Sequence, residues 1–240
     1  MKINFSLSDI TPQLSRERLK GYKWILSGQI VIAIFFLFVY ELLNRYPFPN
    51  WRNILVGVIG MLMMAMNFLT YELIKDLTDN KIIQRIILLL LWLGVFSGII
   101  SAMGIIEAGT PLYLLFTACS VSFSFISFII LLHFMINDIF REKHDIIYRL
   151  WGSASIYMLI GASFGLFFTL METIMPREFQ LNTPFDIFHF IPCYNFSFYN
   201  LAGMDSPYDN FSILVKNMAV IESIFSNLYI VLVVGRLLSK

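Results

Sequence analysis

Apolar residues run through this chain in six long blocks, each bounded by charged or turn-forming residues. A helix needs roughly 20 apolar residues to cross the hydrocarbon core of a bilayer. The blocks predict spans at 24–43, 54–74, 82–106, 111–136, 146–175 and 212–238. The fourth opens after Thr110-Pro111, where proline suits a first helical turn, and Pro176 stands just past the fifth. Between the fifth and sixth, residues 176–211 hold Pro184, Pro192 and Pro207 among Phe179, Phe185, Phe188, Phe190, Phe196, Phe198 and Tyr199. That segment is too aromatic for an ordinary outer loop. A stretch that is apolar but too short to span is expected to re-enter the membrane, with protein or water covering its backbone. The pattern predicts a half-crossing helix over 186–200, with Pro192 kinking it or moving its start to Cys193. The predicted fold class is an all-α integral membrane protein with six transmembrane helices and a re-entrant loop between the fifth and sixth.

Composition agrees: 58% of the chain is hydrophobic and only 14% charged, too little charge to solvate a water-soluble domain of this length. A net charge of +1 argues against nucleic acid as a partner. The placement of the positive charges orients the spans, because Lys and Arg collect on the cytoplasmic side. Of the 17 basic residues, Lys2, Arg16, Arg18, Lys20 and Lys23 precede or open the first span; Lys75, Lys81 and Arg85 follow the second; Arg141, Lys143 and Arg149 follow the fourth; Arg236 and Lys240 end the chain. Only Arg45, Arg52, Arg177 and Lys216 fall on the other side. Both termini are therefore expected in the cytoplasm. Residues 1–20 show no apolar core or cleavage site, so no cleavable signal peptide is expected. The chain divides into a cytoplasmic N-terminal segment (1–21), a four-helix region (22–137), a cytoplasmic elbow (138–149) and a back unit (146–240). In the N-terminal segment a helix start at Thr11-Pro12 would lay Arg16, Arg18 and Lys20 among lipid headgroups.

The back unit carries the most specific pattern. Ile156-Tyr157-Met158-Leu159-Ile160-Gly161 lies in the fifth span, Phe196-Ser197-Phe198 ends the short segment, and Ala219-Val220-Ile221-Glu222 with Leu228-Tyr229 lies in the sixth. This resembles the pore module of bacterial two-helix-pore potassium channels, where F-S-F-x-T-L-T-T-x-G-Y-G-D is followed by L-A-x-L-E-x-x-x-G-x-L-Y. The resemblance implies a tetramer around a water-filled pore in a bacterial inner membrane, with monovalent cations as permeant ions, the bilayer and further copies as partners, and 146–240 as the pore module.

The ion filter does not follow the family. A potassium filter stacks backbone carbonyls and depends on glycines for their geometry. Here the loop is Ala202, Gly203, Met204, Asp205, Ser206, Pro207, Tyr208 and Asp209, and Asp205 and Pro207 stand where the filter glycines belong. Proline locks φ and has no N–H, which forbids the standard filter. Two readings stand. In a tetramer Asp205 and Asp209 would form carboxylate rings that concentrate cations without a backbone cage. Alternatively the loop is a solvated turn, which its residue types equally suit.

Glu222 is an ionisable group inside a span, which marks an interior or cavity-facing position. With Ser223, Ser226 and Asn227 it could line a pore; the favoured alternative has it brace the pore loop from behind. Tyr229 belongs to the same inner-helix pattern. Span four has no Arg or Lys between Pro111 and Ile136, so no voltage sensor of the usual kind is expected. Glu41, Glu72, Glu107 and Glu172 lie near predicted helix ends and are expected at the interface, as is His133, for which a contact with nearby Asp138 is the sharper alternative. No Ser/His/Asp, HExxH or paired-carboxylate arrangement points to an enzyme, and Cys119 and Cys193 have no metal-ligand spacing. No cofactor or metal is expected. The functional expectation is a cation channel of low selectivity. Its alternatives are a non-conducting assembly or signalling protein with the same fold, and a depolarising effector opened by a regulatory protein.

Overall fold

A bilayer offers backbone N–H and C=O groups no partner, so apolar segments that cross it must satisfy themselves as helices. The computed structural model describes residues 12–45, 51–102, 110–140, 145–179, 190–206, 208 and 210–238. They form α1 (Pro12–Arg45), α2 (Trp51–Leu77), α3 (Lys81–Ala102), α4 (Pro111–Ile139), α5 (Ile146–Ile174), α6 (Phe190–Leu201) and α7 (Ile213–Leu238), with a single 3₁₀ turn at Pro176–Glu178. No strand occurs among the described residues.

Six of the seven helices, all except α6, are long and apolar enough to cross a membrane. Their outward faces carry Trp24, Phe38, Phe68, Trp92, Phe96 and Val231, each more than 60% exposed. In water such a surface would drive association; in a bilayer it is the face that lipid wets. The chain is an all-α, multi-pass membrane protein. Thr110 caps α4 as its sequence suggests, accepting a hydrogen bond from the Tyr113 N–H at 3.3 Å, with Pro111 in the first turn.

The first helix departs from the expectation. It starts at Pro12, where the sequence places a helix start, but among the described residues that helix continues unbroken into the first span, so the boundary at 21/22 falls inside one continuous α1. The reason is packing. Tyr22, Ile25 and Leu26 are buried, Gly21 lies directly against Leu73 of α2, and one turn earlier Arg18 is fully buried rather than among headgroups. Nor is the front half separate from the back. α1 runs along α5 and α6 as well as α2. The Phe36 ring meets Phe190 and Tyr194 edge-on at 5.3 and 5.2 Å, and the Asn195 amide donates to the Phe36 carbonyl at 3.4 Å. Elsewhere α3 packs on α4, where the Ser120 hydroxyl donates to the Gly94 carbonyl at 2.8 Å.

Candidate functional site

Twelve residues of helix extend about 18 Å, well short of the roughly 30 Å of a hydrocarbon core. α6 is nonetheless the best-buried element of the back unit, with every residue from Phe190 to Ser197 buried. It begins at Phe190 with no break at Pro192; residues before 190 lie outside the described set. The expected kink is absent because Pro192 sits in the first turn, where backbone N–H groups have no intrahelical partner to lose.

A pair of glycines in α5 lets α6 come close. Gly161 and Gly165 form a small-xxx-small step, the spacing that brings two membrane helices into backbone contact. A Cβ at Gly165 would stand 3.1 Å from the Tyr194 Cα, and one at Gly161 2.8 Å from the Leu201 side chain. The same contacts give depth. Phe196 packs on Phe168, ring to ring at 5.0 Å, in the second half of α5, while the Leu201 carbonyl accepts from the Tyr157 hydroxyl at 2.5 Å, near the middle of α5. α6 therefore runs antiparallel to α5, from its C-terminal half to about its midpoint.

The helix stops at Gly203. That residue is left-handed (φ 66°), the Met204 N–H bonds the Tyr199 carbonyl at 3.0 Å, and the Gly203 N–H bonds the Asn200 carbonyl at 3.1 Å, which together make a Schellman closure. The glycine thus ends a helix and contributes no filter geometry, and the last carbonyls of α6 are capped by their own chain. Ala202, Gly203, Met204 and Asp205 are exposed and Ser206 is half-buried; Pro207 and Asp209 lie outside the described residues. Beyond the loop the chain meets the end of α5 again. Tyr208 stacks on Phe211 (5.3 Å between centroids, 9° between planes), Phe211 meets Phe179 and Phe196, and the Ser212 N–H bonds the Glu178 carbonyl at 2.9 Å.

Burial divides the inner-helix candidates. Val215, Ala219, Glu222, Ser226 and Tyr229 form the one buried stripe of α7. Glu222 accepts a short hydrogen bond from Ser197 of α6, and that hydroxyl also approaches the Gly161 carbonyl at 2.7 Å, so one serine joins α5, α6 and α7. Asn200 lies next to the same carboxylate without closing a hydrogen bond to it. Ser226 turns back to the Ser223 carbonyl at 3.0 Å, and the Tyr229 hydroxyl donates to the Ser153 carbonyl of α5 at 3.2 Å. Ser223 and Asn227 do not share this stripe. They follow Lys216 along a neighbouring line that is half-buried to exposed, while Ile221, Ile224, Phe225, Leu228 and Leu232 cover the far side with apolar surface. The four residues that sequence spacing groups as pore-lining are therefore two inward and two outward.

A second constellation escaped sequence reasoning. Asp138, assigned to the elbow, is fully buried at the end of α4. It pairs with Arg18 at 2.6 Å and accepts hydrogen bonds from Tyr22 (2.8 Å) and from Tyr148 at the start of α5. The Arg18 Nε donates in addition to the Asp76 carbonyl at the end of α2, at 2.9 Å. One carboxylate and one guanidinium so tie together α1, α2, α4 and α5. Little in the sequence hinted at it: Arg18 stands among Arg16, Glu17, Lys20 and Lys23, and the separation of 120 positions hid the pairing. His133 points elsewhere, exposed and 3.0 Å from the Asn137 amide. Glu172 is buried, not interfacial, because its part of α5 faces the bundle. Glu41, Glu107 and the elbow charges Arg141, Glu142 and Lys143 have no described side-chain environment. Both cysteines are free.

The described residues thus form a multi-pass membrane protein with six helices long and apolar enough to span, and a short, buried helix and a polar loop between the last two of them. No family model, curated protein or solved structure matches the chain.

Proposed function

We propose that the protein is a channel-like assembly, a homotetramer in a bacterial inner membrane with both termini cytoplasmic, in which α6 and its loop form a re-entrant hairpin around a central path for monovalent cations. The observation that carries this reading is α6 itself: too short to cross, buried along its first eight residues, ending midway down α5, and followed by a loop that exposes Asp205. A carboxylate at that depth costs too much against lipid and calls for water or protein around it. Further copies of the chain supply that environment, with Asp205 facing the shared axis and Lys216, Ser223 and Asn227 following it along α7. The Glu222–Ser197 brace holds α6 from behind. Conduction through such a path is weakly selective, because the capped helix end and the single left-handed glycine give no stack of free carbonyls.

A second reading keeps the assembly and drops conduction. It is favoured by the ring cluster of Phe179, Phe196, Tyr208 and Phe211, which packs the returning strand of the loop tightly and leaves it little room to move. A regulatory protein that opens the path would make the same chain a depolarising effector.

The deciding experiment is the reversal potential of the purified protein in planar bilayers, with potassium on one side and sodium on the other. A current reversing near zero is expected, and Asp205→Asn should lower its cation preference. Reversal at the potassium equilibrium potential would overturn low selectivity. No current under any condition, with the tetramer intact, would favour the second reading.

A further inference from the structure

The burial of Arg18 separates it from the other N-terminal charges. Arg16, Lys20 and Lys23 are all exposed, and their spacing of four and then three residues puts them on one line of α1. The line continues as Ser27, Ile30 and Ile34, also exposed, so it passes from basic to apolar within three turns. Trp24, 65% exposed, flanks the change. The neighbouring start of α5 adds apolar surface: Ile147, Leu150 and Trp151 are exposed, and the Lys23 ammonium lies over the Trp151 ring at 5.2 Å, bridging the two helices at the surface. Exposed tryptophans mark headgroup depth, and apolar side chains beyond them face acyl chains.

We infer that the α1–α5 surface formed by Arg16, Lys20, Lys23 and Trp151 binds the headgroup of an anionic phospholipid. The phosphate lies between Lys20 and Lys23, the Trp151 ring borders the glycerol region, and the chains run down Ile30, Ile34 and Leu150. Charge complementarity selects anionic over zwitterionic lipid, since the three cations outnumber the one exposed acid on this turn of α1, Glu17, which lies off their line. Arg18, on the opposite side of the same helix, is held by Asp138 and takes no part. The inference does not depend on ion conduction.

The test uses full-length protein in detergent, with phosphatidylglycerol, phosphatidylcholine or inorganic phosphate added, read by thermal unfolding and by lipid retention in native mass spectrometry. Phosphatidylglycerol should raise the unfolding midpoint and remain bound. Lys20→Gln with Lys23→Gln should weaken that binding about thirtyfold, since each basic residue near an anionic surface contributes about a fivefold factor. The midpoint in phosphatidylcholine should not change. Equal stabilisation by phosphatidylcholine, or full retention of phosphatidylglycerol by the double variant, would overturn the inference. So would an equal effect of inorganic phosphate, which would mark a soluble-anion site. If the double variant does not fold, the wild type decides: salt at about 1 M should abolish the phosphatidylglycerol effect, and an undiminished effect would overturn the inference.

Discussion

Arg18 and Asp138 show how a single pair can outweigh its surroundings. Both are fully buried, and the carboxylate is saturated by one guanidinium and two tyrosine hydroxyls. Removing one partner leaves the other charged in a place without water, which costs about 3–5 kcal/mol, whereas removing both can be nearly neutral. Arg18→Met and Asp138→Asn should therefore each lower stability by about 3 kcal/mol, and the double variant should recover most of the loss. Chemical or thermal unfolding of the three variants in one detergent checks this. A double variant as weak as the sum of the singles would mean that the residues act independently. The same scale explains Glu222, whose proton-rich neighbours, Ser197 and Asn200, come from a different helix and so were only half visible in spacing. Its depth in the span was legible, and the favoured reading that it braces the segment behind it agrees with its contact to Ser197; which residue it meets was not legible.

Between helices, the informative unit is the step from Gly161 to Gly165. It lies open in the sequence as a small-xxx-small pair, yet what it receives is a separate element carrying Tyr194 and Leu201, so only the folded chain assigns α6 to it. A side chain at Gly165 meets the base of the Tyr194 ring at 2.7 Å and the Tyr194 Cα at 3.1 Å, so backbone as well as side chain must shift. Gly165→Val should displace α6 at a cost of about 1–3 kcal/mol. Cys193, fully buried in α6, reports the change: in a Cys119→Ser background its maleimide labelling should accelerate at least severalfold, and unchanged labelling would show that α6 docks by other contacts. Apart from the start of α1, the long helices were legible to within a few residues, because a bilayer demands a fixed length of apolar helix and nothing else competes. The errors fell where tertiary contact overrides local pattern. α1 extends back to Pro12 because Arg18 and Tyr22 have buried partners, and Pro192 is harmless because α6 starts two residues before it.

Across the whole molecule, α7 is the element left most open, burying one stripe and exposing the rest. Its two remaining sides differ chemically, with Ser223 and Asn227 on one and Ile224, Phe225 and Leu228 on the other. If the first faces a shared aqueous path, Asn227→Cys should react with a charged, membrane-impermeant thiol reagent, while Leu228→Cys should stay inert in lipid. Equal reactivity at both would remove the polar line from any pore. The fold also carries a consequence for how the chain is made. Arg18 leaves the ribosome 120 residues before Asp138, which at ordinary synthesis rates is on the order of ten seconds. Until then its charge lacks the buried carboxylate and has at most the Asp76 carbonyl, so the turns of α1 around Arg18 stay hydrated. The N-terminus therefore reaches its final depth only after the fourth helix has arrived, and a truncated chain ending before Asp138 should leave α1 seated shallow.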